Sequence, residues 1–155
     1  RAWMLDEFLL RPGPEGVPRL EALGLHSTNQ PQRALLHGHC YQKARPPAGD
    51  GYPVGVDATV ALLEAAGYSV DVVDAGCCGM AGAFGYEEEH YHLSMRVGEM
   101  FLFPTVRAAD DDVIIVASGV SCQSQIEDGA QRDALHPVTL IMQSIKGENH
   151  VPTTD

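Results

Sequence analysis

A chain of 155 residues with 45% apolar side chains is long enough to bury the core of one globular domain. Its formal net charge of −11 argues against nucleic acid and against anionic membrane surfaces, which both call for a basic footprint. No run of about 18 apolar residues occurs, so no transmembrane segment is expected. No secretory leader pattern opens the chain either, and a cytoplasmic location is the expectation, with membrane association through partners left open. The start, Arg1-Ala-Trp-Met, lacks an initiator Met and already reads as helix, so the chain is read as a fragment of a longer polypeptide.

In chain order, residues 3–10 and 17–23 read as helices separated by Arg11-Pro-Gly-Pro14, a strong breaker. His26 to Pro31 is a polar loop. Arg33-Ala-Leu-Leu-His37 is a short buried strand that runs into Gly38-His39-Cys40. The Pro- and Gly-rich stretch Arg45 to Pro53 is loop, and the most flexible segment is expected there.

Val56, Val60, Leu63 and Ala66 recur at helical spacing, and Gly67 is a fitting stop. Ser69 to Asp74 alternates as a strand. Residues 87–102 form a helix whose acidic first turn suits the helix dipole, with Leu93, Val97, Met100 and Phe101 as its apolar stripe. Val113-Ile-Ile-Val-Ala117 is a continuous β-branched strand of the kind covered on both faces. Helices are expected over residues 122–132 and from Pro137 to Lys146.

Strands alternating with helices imply an α/β fold, a three-layer α/β/α sandwich around a small, mostly parallel sheet. Loops leaving the carboxyl ends of parallel strands share one rim, where ligands bind. All four cysteines, Cys40, Cys77, Cys78 and Cys122, fall on such loops.

Four thiols on one rim suit an iron–sulfur cluster or zinc, both of which favour soft sulfur donors. The C-x₂-C pairs of structural zinc sites are missing. Thirty-six residues separate Cys40 from Cys77 and 43 separate Cys78 from Cys122, so a preformed fold must bring the thiols together. Adjacent cysteines point in different directions and suit a polynuclear cluster. Glycines 76 and 79 allow close approach and backbone N–H bonds to sulfur. Cys122 opens a helix, where the dipole favours a thiolate.

His39-Cys40-Tyr-Gln-Lys43, Gly76-Cys-Cys-Gly-Met-Ala-Gly82 and Ser118-Gly-Val-Ser-Cys122, in that order, resemble the cysteine-rich CCG domain. That domain occurs in heterodisulfide reductase and in the iron–sulfur subunits of glycolate oxidase and anaerobic glycerol-3-phosphate dehydrogenase. With Phe84-Gly-Tyr-Glu and Ala134-Leu-His-Pro137, the chain is most similar to the C-terminal end of fused proteins that join an FAD-linked oxidase domain, a ferredoxin-like segment and CCG domains.

The resemblance covers about residues 33–140 and implies one CCG-type domain over 1–155. It implies an electron-transfer role in an oxidoreductase acting on a 2-hydroxy acid of the glycolate or lactate type. Cys40, Cys77, Cys78 and Cys122 are the implied ligands of an ordinary [4Fe–4S] cluster. FAD is placed on another domain, and the flavin and ferredoxin-like domains are the implied partners. One departure stands out. Where the heterodisulfide reductase motif ends in C-x-x-C, this chain reads Cys122-Gln-Ser-Gln125, which speaks against the noncubane cluster and against disulfide reduction.

His37 and His39 flank Gly38, and one of them is a candidate cluster-edge donor or replacement ligand. His39 is preferred because it adjoins Cys40. Tyr41, Gln42 and Lys43 are expected to cover the site, Lys43 offsetting its negative charge. Glu89, His90 and His92 read as a solvated helix start, and Asp110-Asp-Asp112 as a polar turn. His136 reads as a helix start with a rim role left open. Two other function classes stay open: a zinc-binding or metal-free docking domain, and a thiol-redox enzyme using Cys77 and Cys78 directly.

Overall fold

A computed structural model describes residues 2–25 and 31–147. Strands β1 (Gln32–His37), β2 (Tyr68–Val72) and β3 (Ile114–Ala117) form a parallel sheet in the order β2-β1-β3. β1 pairs with β2 from Gln32↔Tyr68 to Leu36↔Val72, and with β3 from Ala34↔Ile114 to His37↔Ala117. Around the sheet lie α1 (Leu5–Leu10), α2 (Cys40–Lys43), α3 (Val56–Ala65), α4 (Glu88–Met100), α5 (Leu102–Ala108), α6 (Val120–Ala130) and α7 (Pro137–Lys146).

Successive strand residues face opposite sides, so a doubly covered sheet needs two cores. Ala34, Leu36, Ile114 and Val116 pack with Leu62, Leu63, Leu140 and Ile141 of α3 and α7. Leu35, Ile115 and Ala117 pack on the other side with Leu102, Phe103, Val106 and Ile126 of α5 and α6. This is the expected three-layer α/β/α arrangement. β2 is an edge strand, and its Val72 stays exposed.

Three local readings change. Residues 17–23 are not an α-helix. Pro12 and Pro18 form an isolated antiparallel bridge, Gly13 N–H donates to Val17 O (2.8 Å), and only Glu21–Leu23 makes a single 3₁₀ turn. Pro18 lacks a donor, and so short a segment does not nucleate a helix when its backbone groups find other partners.

The 87–102 helix breaks at Phe101 (φ −146°), and a helix not foreseen, α5, follows. The inward face of α4 is Ser94 and Gly98, whereas Leu93, Met100 and Phe101 are exposed. The space belongs to the Phe103 ring. A Cβ on Gly98 would lie 2.2 Å from that ring, and one on Gly129 of α6 2.1 Å from it.

The loop over 45–53 is anchored at both ends. Arg45 Nη2 pairs with Glu7 Oε2 (2.6 Å), and Arg11 Nε with Asp50 Oδ2 (2.9 Å). Glu7 is fully buried and also accepts the Gly55 N–H (3.1 Å). Burial alone would raise its carboxyl pKa, but the Arg45 guanidinium and the N–H groups of Gly55 and Met4 hold it below the ordinary value. This buried polar layer joins α1 to the loop that leads from α2 to α3. The expected polar loop over 26–31 lies largely outside the described residues.

Candidate metal centre

The chain leaves β1 for α3 on one face of the sheet and leaves β3 for α6 on the other. Diverging connections open a crevice at the carboxyl ends of the two adjacent strands, the switch point where ligands bind in such sheets. Three side chains meet there. His37 ends β1 and shares the side of Leu35. Cys122 is the third residue of α6. Cys78 comes from the loop after β2. One donor atom from each lies within 4.8 Å of the others, and all three residues are buried, at 1%, 3% and 4% exposure in that order. His37 Nδ1 has no hydrogen-bond partner among the described residues.

The Cys-Cys-Gly loop divides its thiols. Cys78 turns inward, whereas Cys77 is exposed. Gly79 has φ +102°, and a Cβ there would stand 2.2 Å from Ser94 O, so the turn requires glycine. Its N–H donates to Cys77 Sγ at 3.3 Å, the kind of backbone-to-sulfur bond the sequence predicts. Gly76 lies in open space. Lys43 Nζ donates to the carbonyls of Ala75 and Gly76, which fixes a positive charge at the base of the loop.

Cys78 and Cys122 face each other and shift each other's thiol in opposite directions. Cys78 is pulled well below the ordinary thiol range, first by the hydrogen bond from Cys122, against the opposing effect of burial, and then by His37 and the Met80 N–H. Cys122 is pushed up, first by Cys78 and then by burial, with smaller effects from Cys40 and Cys77. Cys122 does stand in the first turn of α6, and Cys78 beside it opposes a second thiolate there. The other three thiols thus all lie within electrostatic reach of Cys122.

Cys40 opens α2 and is exposed, with its Sγ 3.9 Å from His39 Nδ1. His39 caps α2, its Nδ1 accepting the Tyr41 N–H (3.2 Å), and its ring lies against Gly119 near Cys122. The residue that joins the buried thiols is thus His37. Alternation along β1 was the signal for it, since Leu35 and His37 share a face. Gln42 does not cover the site. It is buried, accepts the His39 N–H (2.9 Å) and donates to Thr59 Oγ1 (2.7 Å). Tyr41 projects outward at 76% exposure.

Gln125, one turn after Cys122, is buried and donates to Ser94 O (3.1 Å) and Ser94 Oγ (3.0 Å). His90 sits at its helix start beside Glu87 (2.8 Å) and stacks on Phe84. His136 caps α7, its Nδ1 accepting the Val138 N–H. Asp110 pairs with Arg33 ahead of β3.

Two buried thiols, an unpartnered imidazole nitrogen and two outer thiols make a soft donor set that fits a metal centre. Fold and site together define an α/β metal-binding domain with its pocket at the switch point of a parallel sheet. The chain belongs to the CCG cysteine-rich domain family, whose model matches residues 34–127.

Among its relatives, D-2-hydroxyglutarate dehydrogenase of Pseudomonas putida is 28% identical over 147 residues, 89% of this chain and 14% of that protein. A component of the anaerobic glycerol-3-phosphate dehydrogenase of Escherichia coli K12 is 33% identical over 84 residues, 54% of this chain and 21% of the relative. The Escherichia coli K12 D-2-hydroxyglutarate dehydrogenase is 28% identical over 109 residues, covering 70% of this chain and 10% of that protein. The chain thus spans a small part of each relative. No solved structure matches it significantly. Among the described residues, no helix is long and apolar enough to cross a membrane.

Proposed function

We propose that the chain is the iron–sulfur electron-transfer domain of an FAD-linked oxidoreductase that acts on a 2-hydroxy acid. One observation carries the reading: His37, Cys78 and Cys122 converge in a buried pocket, and Cys40 and Cys77 stand on the same rim. Names among the relatives support the substrate class, since 2-hydroxyglutarate, like glycolate and lactate, is a 2-hydroxy acid. A relative named as a glycerol-3-phosphate dehydrogenase subunit adds a second alcohol-oxidising enzyme in support.

The cysteines at 40, 77, 78 and 122 hold the centre, with Gly76, Gly79 and His39 lining it. When bound, a [4Fe–4S] centre supplies a one-electron carrier. The chain's own residues do the rest. Burial of Cys78 and Cys122 keeps water from the inner sulfurs, and Gly79 N–H and Lys43 balance negative charge at the outer edge. On this reading a flavin held by another domain would supply the electrons, and the exposed Cys40 and Cys77 would hold the edge of the centre nearest the surface.

Iron and acid-labile sulfide measured after anaerobic purification or reconstitution test this. About four of each per chain, with a broad absorption near 400 nm bleached by dithionite, is the expected result. Zinc alone, or no metal after reconstitution, makes the site structural and the domain a docking module.

A further inference from the structure

Gln125 occupies the place of the second cysteine of a C-x-x-C motif. It is committed elsewhere, because its amide is bonded twice to Ser94. The pocket is therefore one thiol short at its inner wall, and the side chain that reaches the two inner sulfurs is an imidazole. His37 is held at the end of the central strand by its register with Ala117. It is buried at 1% exposure, and its Nδ1 lacks a partner among the described residues. Buried polar atoms are almost always satisfied, and an orphan of this kind calls for an explanation such as an ion. A neutral imidazole nitrogen is a common metal ligand, and mixed sulfur–nitrogen sets hold iron–sulfur centres as well as zinc.

We infer that His37 is itself a ligand of the metal centre, bound through a ring nitrogen beside Cys78 and Cys122, in place of one of the two exposed thiols of the all-cysteine set, the other completing four ligands. This rests on the iron–sulfur reading above and deepens it. A histidine in place of a thiolate removes negative charge from the donor set and raises the reduction potential. The centre is thus a better electron acceptor than one bound by cysteine alone.

The test uses the whole chain, reconstituted anaerobically with iron and sulfide and reduced with dithionite. Pulsed electron paramagnetic resonance compares protein carrying ¹⁵N-histidine with protein at natural abundance. The expected result is a directly coordinated nitrogen coupling that changes with the label, persists in His39→Gln and is lost in His37→Asn. His37→Cys, if it binds iron, is expected to lower the potential.

An iron–sulfur centre without histidine nitrogen coupling overturns the inference and leaves the electron-transfer reading standing. Should His37→Asn fail to fold, a labelled coupling that survives in His39→Gln still supports His37, and its loss there overturns the assignment. If the chain takes up no iron, the function reading falls and cobalt(II) becomes the probe. A drop of at least tenfold in cobalt affinity in His37→Ala then supports ligation by His37, and unchanged affinity overturns it.

Discussion

Lys43 Nζ lies 3.3 Å from the carbonyl oxygen of Gly76 and also bonds the carbonyl of Ala75. The helix that begins at Cys40 is thereby fastened to the loop that carries Cys77 and Cys78. The contact sets loop position and local charge together. Lys43→Met is expected to weaken metal retention by about tenfold, the scale seen for partners just outside a ligand shell. It is also expected to lower the reduction potential, because a positive charge near the centre favours the reduced state. Competition with a chelator and a redox titration measure the two effects separately.

Thiol accessibility in the folded, metal-free protein separates the outer pair from the inner pair. Cys40 and Cys77 are exposed, whereas Cys78 and Cys122 are buried. Two cysteines are expected to react quickly with an alkylating reagent and two only slowly, with all four reacting in denaturant. Mass spectrometry of the labelled peptides assigns them. Four equally fast thiols would mean that the pocket is open.

Phe103 fits between α4 and α6 because Gly98 and Gly129 carry no side chains. Gly98→Ala forces the ring or the helix to move. A loss of about 1–3 kcal/mol is expected, in the range of overpacked cores, and is read by urea denaturation. A gain in stability, as expected for alanine on an open helix face, would contradict this packing.

The pH dependence of stability is expected to show Glu7. Its folded carboxyl sits below the ordinary value of 4.5, so its contribution is present above that value and disappears as pH falls through the folded pKa. Glu7→Gln is expected to lower stability at neutral pH by roughly 1.5–3 kcal/mol, the scale of a hydrogen bond to a charged group. The gap to the parent protein is expected to narrow as pH falls through the folded pKa. Denaturation midpoints measured from pH 3 to 7 check the trend.

Most elements were legible because their signals were local. The β-branched run before Ala117 and the Pro137 start of α7 stand where the sequence places them. The inner face of α4 was not legible from its own residues. Leu93 and Met100 look like a stripe, yet Phe103 from the next helix takes the space beside Gly98.

At the site, adjacency to Cys40 favoured His39, but Gly38 ends the strand and His39 turns to cap α2. Strand parity, which groups His37 with Leu35, is the guide to the histidine that meets the two inner thiols. The commitment of Gln125 to Ser94 depends on how α4 crosses α6, and no spacing in the sequence encodes that crossing.

The switch-point position of the pocket has a consequence for the order of assembly. Its inner donors come from the ends of β1 and β3 and from the loop after β2, so no single stretch of chain contains a usable fragment of the pocket. Cys122 and His37 become neighbours only once β1 and β3 have paired. The inner donors can therefore converge only when β1 and β3 are paired, unlike the ligand pairs of small zinc modules, which lie close together in sequence. On the iron–sulfur reading, the exposed Cys40 and Cys77 are the donors that an incoming iron and sulfide source would meet first.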